Sequence, residues 1–188
     1  MWLRKAREED VAALLALING YADRGLLLRR SEESLRRHLD DFTVAMDADG
    51  GVIGCGALTV LGPGLGEVRS LAVREDQAGR GIGRSIVEHL LEEAGRRGFS
   101  EVLALTRRPS FFEALGFSVT RRERFLEKLM VDCKACPMNL CCDETAMVRV
   151  IVIEQGDAAS RPPETPRARR RSKSVASRSS GKAPRRSA

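Results

Sequence analysis

The sequence predicts an α+β fold, a mixed central β-sheet with helices on both faces. Three observations point there. Two turn signals, Asp49-Gly50-Gly51 and Gly62-Pro63-Gly64, each separate strand-like runs and so predict antiparallel hairpins early in the chain. An amphipathic segment from about Gly81 to Arg97 then leads into the apolar run Val102–Leu105, the pattern of a parallel strand–helix–strand step. Two further helical segments precede the hairpins.

Leu3–Lys5 reads as a short opening strand. A helix follows from about Glu8 to Ala22, with Val11, Leu14, Leu15 and Ile18 on one face at helical spacing. Gly25 ends that region. Ser31 is a good N-cap for a second helix, with Glu32 and Glu33 favourably placed in its first turn. Phe42–Asp47 and Val52–Leu61 form a hairpin, and a strand over Glu67–Val73 returns from the next turn. The third helix buries Ile82, Ile86, Val87, Leu90, Leu91 and Ala94. A short helix begins at Pro109, which suits a first helical turn. The last strands are Phe117–Thr120 and Ala146–Val152, separated by a Cys-rich insertion over 131–144.

The net charge of +6 is unevenly spread. Residues 155–188 carry ten Lys/Arg against two Asp/Glu, whereas residues 1–154 carry 22 against 24. The folded domain, 1–154, is therefore near neutral, and 155–188 is a basic tail with almost nothing to bury, expected to be disordered. Such a tail can touch nucleic acid non-specifically through counterion release, but no aromatic side chain interleaves its basic residues to read bases. No segment has the length and apolarity of a membrane span. Five cysteines, four of them between Cys133 and Cys142, do not form a secreted disulfide pattern, so a reducing cytoplasm is the expected setting. Monomer and homodimer both stay open.

Gln77-Ala78-Gly79-Arg80-Gly81-Ile82-Gly83-Arg84 opens the third helix. Glycines allow main-chain N–H groups to approach a ligand, and the helix N-terminus adds positive partial charge, so the turn suits a pyrophosphate. A dinucleotide fold would place this turn directly after its first strand, with an acid ending the next strand. Here Arg74–Ala78 intervenes and Val102–Thr106 holds no acid. A P-loop would need Gly-Lys-Ser/Thr, which is missing. A purely structural turn is the remaining competitor.

The whole stretch Leu71-Ala72-Val73-Arg74-Glu75-Asp76-Gln77-Ala78-Gly79-Arg80-Gly81-Ile82-Gly83 resembles the acetyl-CoA signature of the GNAT acetyltransferase superfamily, and the element order fits that fold. Ala78 departs from the Gln or Arg usual there, with Gln77 one residue early. The resemblance implies that Gln77, Gly79, Arg80, Gly81, Ile82, Gly83 and Arg84 surround the cofactor's phosphates. It implies equally that Leu71, Ala72 and Val73 flank the pantetheine arm as a strand edge, with a main-chain N–H polarising the thioester carbonyl.

Three further stretches are similar to N-acetylglutamate synthases, especially the short, kinase-less amino-acid N-acetyltransferases: Gly25–Ser31, Ile53–Leu58 and Gly66–Val73. That likeness implies an amino-acid acceptor, glutamate first, and arginine biosynthesis. By it, Arg30 and Arg107 bind the acceptor's carboxylates. The longer synthases carry a lysine where this chain has Thr59, and Arg69 is expected to replace that cation, with Ser31 and Thr59 lending hydroxyls. Arginine forks suit carboxylates because they bind them bidentately. Taken singly, each also reads as an ordinary surface arginine. Arg108 is expected to face solvent.

Direct attack of the amine on the thioester is the expected chemistry, with Glu67 as candidate base. Glu67 also reads as a salt-bridged strand carboxylate. Phe112 stands where many relatives place the tyrosine that protonates the thiolate, leaving water, Ser70 or Ser110. Cys55 reads as a small buried residue or as an acyl carrier. Cys133, Cys136, Cys141 and Cys142 have spacing compatible with a structural zinc site, and equally with reduced thiols packing a loop. Two rival functions stay open: a GNAT enzyme for another amine, and a non-catalytic acetyl-CoA-binding protein.

Overall fold

The computed structural model describes residues 1–134 and 136–152. The basic tail, 155–188, lies outside the described residues. Among the described residues, seven strands are ordered β1-β2-β3-β4-β5-β7-β6 in one sheet. They are β1 (Trp2–Lys5), β2 (Phe42–Met46), β3 (Val52–Gly62), β4 (Leu65–Val73), β5 (Glu101–Thr106), β6 (Ser118–Val119) and β7 (Thr145–Val150). Only β4 and β5 run parallel, and they are joined by the long helix α3 (Ile82–Arg96). The expected mixed sheet is what forms.

The sheet's two faces bury different helices. On one, α1 (Val11–Ala22) and α2 (Glu32–Arg37) place Val11, Leu14, Ile18 and Leu35 against Val44, Met46, Cys55 and Ala72. On the other, α3 inserts Ile82, Ile86, Val87, Leu90, Leu91 and Ala94 over Ile53, Leu58, Val68 and Val102. The short helix α4 (Pro109–Glu113) joins the α3 side through Phe112, which meets Phe111 and Phe117 edge to face at 5.1 Å. Close approach of α3 depends on β3 having Gly56, because a Cβ there would lie 2.8 Å from Ile86 Cγ2.

Ser31 caps α2 as expected, its hydroxyl accepting from Ser34 N at 3.1 Å. The first helix starts later than its periodicity predicts, behind a tight turn over Glu8–Asp10. Asp10 is buried there and accepts from Arg4 at 2.6 Å and from Arg7 N at 2.8 Å. β6 is shorter than expected because Phe117 packs into the core rather than joining the ladder. The Cys-rich insertion follows α5 (Leu126–Lys128), which runs into a wide π turn over Leu129–Cys133, and it then forms a short helical turn over Asn139–Cys141.

Candidate active site

β4 is paired on both sides only at its start. Leu65–Val68 lie beside Glu101–Ala104, after which β5 stays with β7 and leaves β4. Where the two part, β4 bulges: Ala57 pairs with Arg69 and Cys55 with Ala72, so one residue of β3 faces two of β4. Ser70 takes up the extra length at φ +52°, a left-handed conformation that a non-glycine residue adopts at some cost. The bulge resets the alternation of side chains. Val68 points to the α3 side; after the bulge Leu71 and Val73 do so, and Ala72 joins the α1 side. Arg74 N bonds to Ile53 O at 2.9 Å, so by antiparallel alternation the main-chain groups of Leu71 and Val73 turn away from β3 into the gap. Tyr21 reaches that edge and donates its hydroxyl to Val73 O at 2.6 Å.

At the end of this gap lies the start of α3. Gly79 and Gly81 both sit at φ +77°, and a Cβ at either would meet nothing within 4 Å. These two glycines are needed for conformation rather than for space. The first bond into the helix is Ser85 N to Gly81 O at 3.0 Å, which leaves the N–H groups of Ile82, Gly83 and Arg84 without intrahelical partners. Of the side chains expected here, Arg80 donates to Gln77 at 2.5 Å, Gln77 to Asp76 at 3.0 Å, and Arg84 to Ala114 O at 3.3 Å. Open N–H groups at a helix N-terminus, reached along a free strand edge, fit the pyrophosphate and pantetheine of CoA.

On the α1 and α2 side of the bulge the charged residues converge. Arg30 Nη2 donates to Ser70 Oγ at 3.2 Å, and Asn19 fixes the Arg30 main chain in both directions, at 2.9 and 3.0 Å. Burial, then the neighbouring Arg69, lowers the pKa of Arg30. Burial also acts to lower that of Arg69, but Glu67 and Asp132 outweigh it and the net shift is upward. Glu67, only 2% exposed, is held by Lys128 at 2.7 Å and by Arg69 Nε at 3.0 Å. Asp132 bridges the same two cations, 3.0 Å from Lys128 and paired with Arg69. Burial pushes its carboxyl up, but Arg69 and Lys128 win and hold it below the usual carboxylate range.

Several expectations need correction. Glu67 is locked between two cations beneath the surface, a geometry that suits an anchor for them and not a base. Ser31 is exposed and its hydroxyl serves the helix cap. Arg107 does not join Arg30 and Arg69: it pairs with Asp143 at 2.6 Å and donates to Gly25 O at 3.1 Å, tying the end of β5 to the loop before Arg30. Thr59 donates to Asp41 at 3.2 Å, and the extra cation beside Glu67 comes from Lys128 as well as Arg69. Arg108 is exposed, as expected.

Cys55 is fully buried and its thiol is pushed up to about 12, chiefly by desolvation. Zinc finds no support among the described residues, where no three His, Cys, Asp or Glu side chains gather to hold a metal. Cys133, Cys136 and Cys142 line one small cavity with Glu144, whereas Cys141 is exposed; Cys136 Sγ accepts from Met138 N at 3.4 Å.

A sheet splayed beside a bulged strand, with open N–H groups at the helix start at its mouth, is an arrangement suited to an acyl-CoA-dependent transferase. The chain matches the Acetyltransferase (GNAT) family over residues 9–117 and belongs to that family. It is 40% identical to an uncharacterized N-acetyltransferase of Chlorobaculum tepidum over 149 residues, 79% of this chain and 96% of that one. An amino-acid acetyltransferase of Mycobacterium tuberculosis is 40% identical over 118 residues, 62% of this chain and 67% of that protein. Among solved structures, an N-acetylglutamate synthase of Neisseria gonorrhoeae complexed with coenzyme A and N-acetyl-glutamate superposes with a TM-score of 0.73 and 27% identity. That match covers 80% of this chain but only 35% of the synthase. Among the described residues no helix is long and apolar enough to cross a membrane.

Proposed function

We propose that the protein transfers the acetyl group of acetyl-CoA to the α-amine of an amino acid, with L-glutamate as the acceptor. The observation that carries this reading is the convergence of Arg30 and Arg69 around Ser70, on the acceptor side of the bulge. Two guanidinium groups kept charged in a partly dry cleft are matched to carboxylates. The names of the Mycobacterium and Neisseria relatives support the same acceptor class.

Acetyl-CoA supplies the activated acyl group. The main-chain N–H groups of Leu71 and Val73 face the gap, where one can stabilise the oxyanion that forms as the amine adds to the carbonyl carbon. Arg30 and Arg69 disfavour a protonated amine between them, so the nucleophile is free to attack. When the carbon–sulfur bond breaks, the Ser70 hydroxyl gives its proton to the departing sulfur and recovers one, through water, from the amine nitrogen. Arg30, donating to Ser70 Oγ, stabilises the oxygen while it is deprotonated.

The test is an acceptor screen that follows release of free thiol from acetyl-CoA. It should cover the amino acids, a peptide with a free N-terminus, an arylamine and a polyamine. Glutamate should give the highest kcat/KM. Turnover confined to a peptide or a polyamine would refute the amino-acid reading, and no turnover at all would favour a binding protein.

A further inference from the structure

We propose that Asp132 occupies, in this structure, the place of the acceptor's side-chain carboxylate, and that Lys128 with Arg69 forms the receptacle determining specificity for it; this rests on the acceptor reading above. Lys128 is a buried lysine, 7% exposed, whose ammonium spends its donors on Glu67 Oε1 at 2.7 Å, Glu67 Oε2 at 2.9 Å and Asp132 at 3.0 Å. A buried ammonium is costly unless paired, so its partners report what the site is built to hold.

The two carboxylates differ in one respect. Glu67 sits in the doubly paired start of β4 with its side chain 3% exposed, whereas the Asp132 side chain is 34% exposed. Glu67 is fixed and Asp132 can leave. Its segment permits that, since it lies in a π turn closed by Lys134 N on Leu129 O, directly after a helix of three residues. Wide turns of this kind occur preferentially at functional sites. A cavity of about 50 Å³ borders Lys128 and Asp132 and leaves space for the aspartate to shift. With Asp132 in place, Glu67, Arg69, Lys128 and Asp132 balance in charge. With it displaced, one positive charge is left over and Arg30 adds another, which calls for an incoming carboxylate. The acceptor's side-chain carboxylate then takes the aspartate's bonds, while Arg30 faces the rest of the molecule.

Steady-state kinetics on the full chain test this with two variants. Asp132→Asn removes the internal competitor while keeping its shape, and KM for L-glutamate should fall about two- to fivefold, the size of a half-exposed ion pair. Lys128→Met should raise KM for glutamate roughly thirtyfold or more, as truncating one partner of a desolvated charge pair does. Its kcat and its KM for acetyl-CoA should change far less, and Lys128→Arg should recover most of the loss. A purely structural lysine would instead reduce melting temperature, kcat and acetyl-CoA affinity together. If Lys128→Met does not fold, Asp132→Asn decides alone: an unchanged or higher KM for glutamate overturns the proposal. Absence of glutamate turnover in the unsubstituted protein would overturn the acceptor reading, and this inference with it.

Discussion

Arg30 and Ser70, forty residues apart in sequence, meet through a 3.2 Å hydrogen bond between guanidinium and hydroxyl at the bulge of β4. On the function proposed above, this contact joins the segment that would read the acceptor to the strand beside the acyl group, so the two residues should separate kinetically. Arg30→Ala should raise KM for glutamate by the equivalent of about 2–5 kcal/mol with acetyl-CoA binding intact. Ser70→Ala should leave KM near its original value and lower kcat about 100-fold, the low end for loss of a positioned proton donor. Equal effects of the two substitutions on KM would show that Ser70 only buttresses the arginine.

The start of α3 makes a second prediction. Gly81→Asp forces a side chain into a left-handed residue at φ +77° and sets a negative charge beside the open N–H groups of Ile82 to Arg84. Acetyl-CoA affinity by calorimetry should fall at least tenfold while the far-ultraviolet spectrum stays native. Unchanged affinity would place the cofactor elsewhere.

Cys55 should be chemically silent. With burial raising its pKa to about 12, the thiol remains neutral at every pH an enzyme assay spans, and its proton already engages Ser70 O at 3.5 Å. Cys55→Ala should keep turnover, initial-rate plots should intersect as a ternary complex requires, and iodoacetamide should not label Cys55 in the folded protein. Parallel plots together with an acetylated Cys55 would reinstate a covalent intermediate.

Arg107 gives the counterpart to Arg30. Because it holds Asp143 and the Gly25 carbonyl, Arg107→Ala should disturb the loop before Arg30 without removing a carboxylate ligand. The loss in glutamate kcat/KM should stay below about tenfold, matching an ion pair worth under about 1 kcal/mol. A loss as large as that of Arg30→Ala would return Arg107 to the acceptor site.

What the sequence made legible follows from local physics. The six apolar positions of α3 that periodicity selects are the six that are buried, and Ser31 caps its helix as its type and position predict. Glycine at Gly79 and Gly81 marked a turn that only positive φ can make. The bulge was hidden because Ser70 holds its left-handed conformation without glycine's signature. Lys128 and Asp132 were missed for a different reason. Their segment has no apolar periodicity, and Lys128 meets Glu67 across 61 residues, a partnership that only the tertiary fold creates. Lys128 and Asp132 stand four apart with opposite charges, a weak signal that more often marks a solvated helix face. Glu67 was recognisable as a strand carboxylate, but its burial between two cations was not.

On the proposed function, the arginine-lined side of the bulge selects an amino acid with a second carboxylate. The most direct measurement offers the protein acetyl-CoA with an equimolar mixture of the amino acids and identifies the acetylated product by mass spectrometry. N-acetylglutamate should be the dominant product, exceeding N-acetylglutamine at least tenfold, as one well-placed charge pair requires. A product mixture that ignores side-chain charge, or one led by a neutral or basic amino acid, would contradict it.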